Sequence, residues 1–434
     1  MKRASGSALT APPITEEGAV LMTGGPKRGH ALSDRAFRRY LAGFGASLVG
    51  DQIWFVSLAW AASQLESSGQ TALVLAAGSI PRAVLLLVGG AAADRFGALT
   101  VALRSQIGRI LLMGAGAGFV LALGVDELWP LLVVAVLFGV LDAAHMPAAA
   151  ALPPQLLAPG DLPAGQGFVQ TLERGALVAG APLGGLVVAF GGLPTAMVVN
   201  VVLFLLAWLM LRSLRRVTDG PTSLSERTGD ESIRASLTGG LRYAAMDRAL
   251  LSTLIVVTVL NLGLAGPLNV GLVLLSDERG WGAATYSLVL SAYALGAISG
   301  ALTVAFQKRV QRPALNALLW IMLGGSALGL VPFAPTFPLA ALAVALAGFA
   351  FGPGSALLVG LIQARTDRHY LGRVMALVNF SALGLTPIAY VLFGQGVAVS
   401  TLEVTFTVSA ALVVLAAAMA LFVGPLRRAR LTTD

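Results

Sequence analysis

Residues 249–275, ALLSTLIVVTVLNLGLAGPLNVGLVLL, run without one charged side chain. A helix rises about 1.5 Å per residue, so such a segment crosses a hydrocarbon core of roughly 30 Å. Uncharged segments of this kind recur from near residue 39 to residue 424. Lipid offers no water to the backbone, so each must satisfy its own N–H and C=O groups as a helix. Charge is scarce enough to allow this: 12% of the 434 residues are charged, against about 25% in soluble domains. The chain is therefore polytopic, and no stretch remains for a large soluble catalytic domain.

Twelve spans are expected, near 39–63, 71–93, 99–123, 128–151, 164–190 and 193–212, then 249–275, 284–306, 314–333, 338–362, 372–397 and 403–424. The expected class is an all-α membrane protein with twelve transmembrane helices in two pseudo-symmetric six-helix bundles. Residues 1–36 form a disordered cytoplasmic tail, with Met22 an alternative native start. The first bundle covers 37–212 and the second 249–424. Between them, 213–248 is a polar loop whose end, Ile233 to Arg248, fits an amphipathic helix on the membrane surface; 425–434 is a second tail.

The net charge of +8 does not point to nucleic acid, because the basic residues sit at the ends of apolar runs. The N-terminal tail, Arg95, Arg212, Arg215, Arg216, Arg242, Arg248, Lys308, Arg309, Arg312, Arg365, Arg368, Arg373 and the C-terminal tail all fall on one side, and Arg279 alone on the other. That asymmetry sets both termini in the cytoplasm of a cell whose plasma (inner) membrane holds the protein. Cysteine is absent and the three histidines are scattered, so no disulfide, metal site or cofactor is expected. No phosphate-binding loop occurs, which excludes an ATP motor. Two six-span halves around a central loop is the plan of a secondary transporter built from repeats. A channel or a membrane-embedded enzyme is the alternative. The enzyme needs a convergent nucleophile and base that the chain lacks.

Charges inside spans are costly and mark function or pairing. Asp51 in span one and Arg82 in span two fall at similar depth. They form either a protonatable site or a permanent structural ion pair. Asp142 and His145 in span four are three apart and share a face, with Glu173 of span five expected nearby; the three would pass a proton or simply be hydrogen-bonded. Arg174 must point away from Glu173. Arg104 snorkels, whereas Arg109 lies deeper and neutralises a carboxylate or binds an anionic substrate. The second half offers Asn261, Asn269, Tyr293, Asn316, Trp320, Gln363, Asn379 and Tyr390. They are expected to join helices or to line an apolar, amide-bearing wall suited to amphiphilic or aromatic compounds.

Between spans two and three stands Gly90-Ala-Ala-Ala-Asp94-Arg95-Phe-Gly97. It resembles the G-x-x-x-D-R-x-G loop of the major facilitator superfamily. VGDQIW (49–54), IPRAVLL (80–86), DAAHMPAAAALPPQL (142–156), GLRYAAMDRALL (240–251) and LGRVMALVNFSALGLTP (371–387) extend the resemblance to its proton-coupled exporters of drugs, macrolides and siderophores. It implies a monomeric carrier that moves a small molecule outward in exchange for protons. It also implies a cytoplasmic gate in which Asp94, with Gly90, Arg95 and Gly97, meets the start of span eleven at Gly372 and Arg373. Three departures bear on coupling rather than fold and keep open an uncoupled facilitator or importer of a small metabolite, with a lipid-handling protein beside the enzyme as the remaining alternative. Ala98-Leu99 replaces a basic pair, span four lacks the arginine of many relatives, and Gly180-Ala-Pro182-Leu-Gly184-Gly185 displaces the proline of the antiporter signature by one.

Overall fold

The computed structural model describes residues 31–123, 127–215, 233–307 and 311–424, without the side chains at 31, 86–89, 91, 94, 123, 159, 163, 233–237, 305, 368 and 369. The expected tails and most of the central loop lie outside the described residues.

Helix α1 (Arg35–Ser63) starts where the Asp34 carboxylate accepts from the N–H groups of Ala36 and Phe37, at 2.6 and 3.0 Å. That cap satisfies two of the four donors a helix start leaves unpaired. Ser67 caps α2 (Ser68–Phe96) in the same way. Gly97, at φ 85°, turns the chain directly into α3 (Ala98–Leu123). Helix α4 is Leu128–Ala150. Leu162–Arg212 is continuous except at Gly191 and Gly192, where non-helical backbone splits it into α5 (162–190) and α6 (193–212). Gly192 sits at φ 66°, a conformation that costs glycine no Cβ clash.

The second half begins with a connector helix, Ile233–Met246. Asp247 then caps α7 (Arg248–Glu278) through Ala249 and Leu250. Helices α8 (Gly282–Ala305), α9 (Pro313–Leu330), α10 (Phe337–Arg365), α11 (Tyr370–Val399) and α12 (Leu402–Leu421) follow. Helices α7 and α11 each loosen to a π-helical turn, at Pro267–Gly271 and Phe380–Gly384. Ten helices among the described residues are long and apolar enough to span a membrane. One of them divides into α5 and α6, and α2 adds the twelfth.

The halves repeat one packing scheme. In the first, α2 lies on α4, α3 on α6, and α1 on α5 and α6; in the second, α8 lies on α10, α9 on α12, and α7 on α11 and α12. Small residues make the α8–α10 contact possible. A Cβ on Gly348 or Gly352 would overlap the Tyr293 or Ala297 carbonyl, so the two backbones touch as they do at membrane small-residue seams. The outward stripes are apolar, as Leu73, Ile80 and Val84 on α2 illustrate, because lipid rather than water is their solvent.

Contacts between the halves gather at the end away from the arginines. Gln64 donates to Asp277 at 2.7 Å, Ser68 donates to the Gly394 carbonyl at 3.4 Å, and Gly185 packs on Ser287. Val56, Ala59, Ala72 and Ala181 join the apolar core of the second half in the same layer. Helices α2 and α11 stay together from that end to about their middles, and α11 begins at the other end with Gly372 facing open space. Among the described residues the halves close on each other at the arginine-poor end and part at the arginine-rich one.

Candidate functional site: a buried charge network

Four ionisable side chains from four helices meet inside the first half. Arg109 of α3 is completely buried. Its guanidinium bonds Asp142 of α4, lies 3.3 Å from Asp51 of α1 and donates to the Ser47 hydroxyl at 3.1 Å. The faces of Phe138 and Phe204 flank it at 5.2 and 5.4 Å. Arg82 of α2 reaches the other Asp142 oxygen through Nε at 3.2 Å and lies over the Phe55 ring. Two acids and two arginines leave the set neutral, which is what makes its burial tolerable.

The partners are unequal. Asp142 has both arginines, and Asp51 has one at longer range, with Oδ1 accepting no aligned hydrogen bond. His145 sits between Ser47 (3.4 Å from Nε2) and Ser105 (3.1 Å from Nδ1), and Ser105 donates to the Ala102 carbonyl. Ser47 accepts from Arg109, so its own proton goes to Nε2. The pattern closes with a neutral imidazole carrying its proton on Nδ1.

This corrects the expected pairing of Asp51 with Arg82. Helix α2 packs along α4 rather than α1, which brings Arg82 to Asp142 and leaves Asp51 to Arg109. Arg109 is thus the hub, and it neutralises two carboxylates rather than one. Asp142 and His145 do share an interior face, but they connect through Ser47 and Arg109. Glu173 stands apart: it is half-buried on α5, close enough to Tyr40 to bear on it electrostatically, and no described residue pairs with it within 4 Å. Arg174 beside it is exposed, as is Arg104. Sequence reasoning missed Ser47 and Ser105, although each stands four residues before a network member and therefore on the same helical face.

In the second half, Asn261 donates to Ser381 at 3.0 Å and Asn269 to the Ala265 carbonyl of its own helix. Both amides are thus hydrogen-bonded within the bundle while remaining half-buried. Tyr293 and Tyr390 are half-buried, and Asn379 is exposed. Of the expected gate, the Asp94 side chain lies outside the described residues. Arg95 is exposed over the Phe96 ring, and Arg373 packs against Gly239, Gly240 and Tyr370. Among the described residues no cluster of acids or histidines is arranged to hold a metal ion.

Twelve helices in two like-packed halves, with a cleft closed at one end, fit the sequence comparison. The pattern defining the Major Facilitator Superfamily matches residues 40–386. The chain belongs to that superfamily. It is a multi-pass membrane transporter of small molecules, not an enzyme. Among curated proteins it is similar to the multidrug efflux pump Tap of Mycolicibacterium fortuitum, with 28% identity over 392 residues, 87% of this chain and 93% of that one. The pump of the same name from Mycobacterium tuberculosis (strain ATCC 25618 / H37Rv) is 28% identical over 375 residues, covering 82% and 86%. Among solved structures, a bacterial homologue of the iron transporter ferroportin in an inward-facing state superposes with a TM-score of 0.71 at 17% identity, covering 89% of this chain and 98% of that one. The nucleoside transporter NupG does so at 0.69 and 11%, covering 89% and 98%. These likenesses concern the fold.

Proposed function

We propose that the protein exports hydrophobic or amphiphilic small molecules from the cell by alternating access, in exchange for protons. The observation that carries this is Arg109 bridging Asp51 and Asp142. An acid–base network inside one half, against a second half whose charged side chains stand only near the ends of its spans, gives a proton somewhere to act. Asp51 has the weaker set of partners and is the carrier in this account. Its protonation would turn Arg109 wholly toward Asp142 and loosen the side-chain link from α1 to α3. A proton shifts the balance between inward- and outward-open forms only through such a difference between them. Asp94 and the α11 start at Gly372 would form the latch of the opposite, inward-closed form. Helix-terminus charge interactions of up to about 2 kcal/mol suit a contact that must reopen. The efflux activity named for the Tap relatives supports the outward direction. The basic flank supports cytoplasmic termini and a plasma (inner) membrane location, and the carrier acts as a monomer.

The engagement of Asp142 by both arginines favours a second account, an uncoupled facilitator whose charges are purely structural. Reconstituted vesicles decide between them. With a panel of amphiphiles and a pH-sensitive dye inside, substrate addition should move protons in the wild type and fail to do so in Asp51→Asn. Substrate movement without proton movement in both would leave the facilitator.

A further inference from the structure

Arg82 is the network member that most reaches open space: 26% of its side chain is accessible, against 0% for Arg109 and 3% for Asp142. That space is not lipid. The lipid stripe of α2 runs through Leu73, Ile80 and Val84, and residue 82 lies about 200° around the helix from residue 80. Arg82 points instead between Asp142 of α4 and Phe55 of α1, and Leu75, two turns back on the same face of α2, packs against the core of the second half, as does Tyr390 of α11. Tyr286 of α8 belongs to that same core. Only Nε of Arg82 faces Asp142. No described residue accepts a hydrogen bond from its two terminal amino groups, and none pairs with the hydroxyls of Tyr390 or Tyr286. These groups roof the cleft where α2 and α11 part toward the arginine-rich end. No charged side chain in the interior of the opposing spans offsets the guanidinium.

We infer that this roof is a ligand subsite for the uncharged oxygen acceptor, a carbonyl or phosphoryl oxygen, of an aromatic or amphiphilic molecule. This rests on the export reading above and names the chemical class its cleft takes. The terminal amino groups of Arg82 donate to the acceptor while Nε keeps Asp142, and the Tyr390 hydroxyl supplies a further donor. The Phe55 face receives an aromatic body. A cation meets the outer edge of the guanidinium, whose neutralising carboxylate, Asp142, lies behind it on the Nε side. A full anion reaches the same guanidinium only by competing with Asp142.

Binding to the full-length protein in detergent tests this without any transport. The probes are triphenylphosphine oxide, diphenylphosphinate and tetraphenylphosphonium, which share aromatic bodies and differ in charge. Wild type should bind the oxide about tenfold tighter than the phosphonium, the weight of one hydrogen bond from a charged donor. Arg82→Gln should abolish that preference, and Tyr390→Phe should weaken oxide binding several-fold. Arg82→Lys, which keeps the charge, should still disfavour the phosphonium, and it guards against misfolding of the glutamine variant. Asp142→Asn should strengthen diphenylphosphinate binding by about tenfold, a gain that a merely structural role for Arg82 does not give. Phosphonium binding as tight as that of the oxide in wild type, or oxide binding unchanged in both Arg82→Gln and Tyr390→Phe, overturns the inference. Arg82-dependent binding without transport in vesicles would sink the export proposal and leave the subsite standing. Export unaffected by Arg82→Gln would do the reverse.

Discussion

Replacing Arg109 by glutamine removes the hub and leaves both carboxylates behind. Asp142 keeps Arg82 at 3.2 Å, whereas Asp51 loses the one guanidinium within 4 Å of it. Arg109 itself is completely buried, so water does not readily take its place. Breaking a buried pair from one side costs about 3–5 kcal/mol, chiefly for the charge left uncompensated. Arg109→Gln should therefore lose about that much stability. The double variant Asp51→Asn with Arg109→Gln carries no orphaned carboxylate. It should regain stability over Arg109→Gln alone, giving a coupling of about 2–3 kcal/mol, near the top of what contacting residues show. Arg82→Gln should cost far less, since Arg82 is partly open to the cleft and Asp142 retains Arg109. Reversible unfolding in mixed micelles, followed by tryptophan fluorescence, measures these proteins and the Asp51→Asn single variant that closes the cycle. An Arg109→Gln variant within about 1 kcal/mol of wild type, or no recovery on adding Asp51→Asn, would refute the placement of the hub.

At the α8–α10 seam, Gly352→Leu forces apart two backbones in contact and should destabilise by at least the 1–3 kcal/mol typical of overpacking, read as earlier aggregation on heating. At the arginine-poor end, Asp277→Ala removes the partner of Gln64. An exposed contact of this kind contributes up to about 1 kcal/mol, so distances between spin labels across that end should show a modest rise in the open population; no change would mean that the contact follows closure without holding it. The connector helix is tied to α10 by Asp247, which binds Arg365 at 2.7 and 2.9 Å and caps α7. Burial alone pulls this carboxyl up, but the hydrogen bonds from Arg365 and from the Ala249 and Leu250 N–H groups outweigh it and hold the group below the usual carboxylate range. A depressed acid contributes stability above its unfolded value and loses it as pH falls through the folded one. Hydrogen-exchange protection of Ile233–Met246, taken relative to the intrinsic rate at each pH, should thus fall in strongly acid solution and be low at every pH in Asp247→Asn.

The spans were readable because lipid imposes a single requirement, apolar length, that shows directly in the order of residues; 128–151 and 403–424 fall within a few residues of α4 and α12. The break between α5 and α6 was readable too, since paired glycines at 191 and 192 interrupt one long apolar run. Membership of the charge network was largely readable, as burying an ion is expensive enough to single out Asp51, Arg82, Arg109 and Asp142 wherever they lie. Their pairing was not. Depth along a span follows from counting, but which helix stands beside which is set by contacts such as Gly78 against Gly139 at the α2–α4 crossing, and an isolated glycine names no partner. Once that crossing is known, the rest follows: α2 on α4 carries Arg82 to Asp142, and Asp51 then finds its neutralising charge in Arg109. The same step sends the free end of Arg82 into the cleft instead of into the bundle. The helix order that overturned the expected Asp51–Arg82 pair is therefore what gives the cleft its donor.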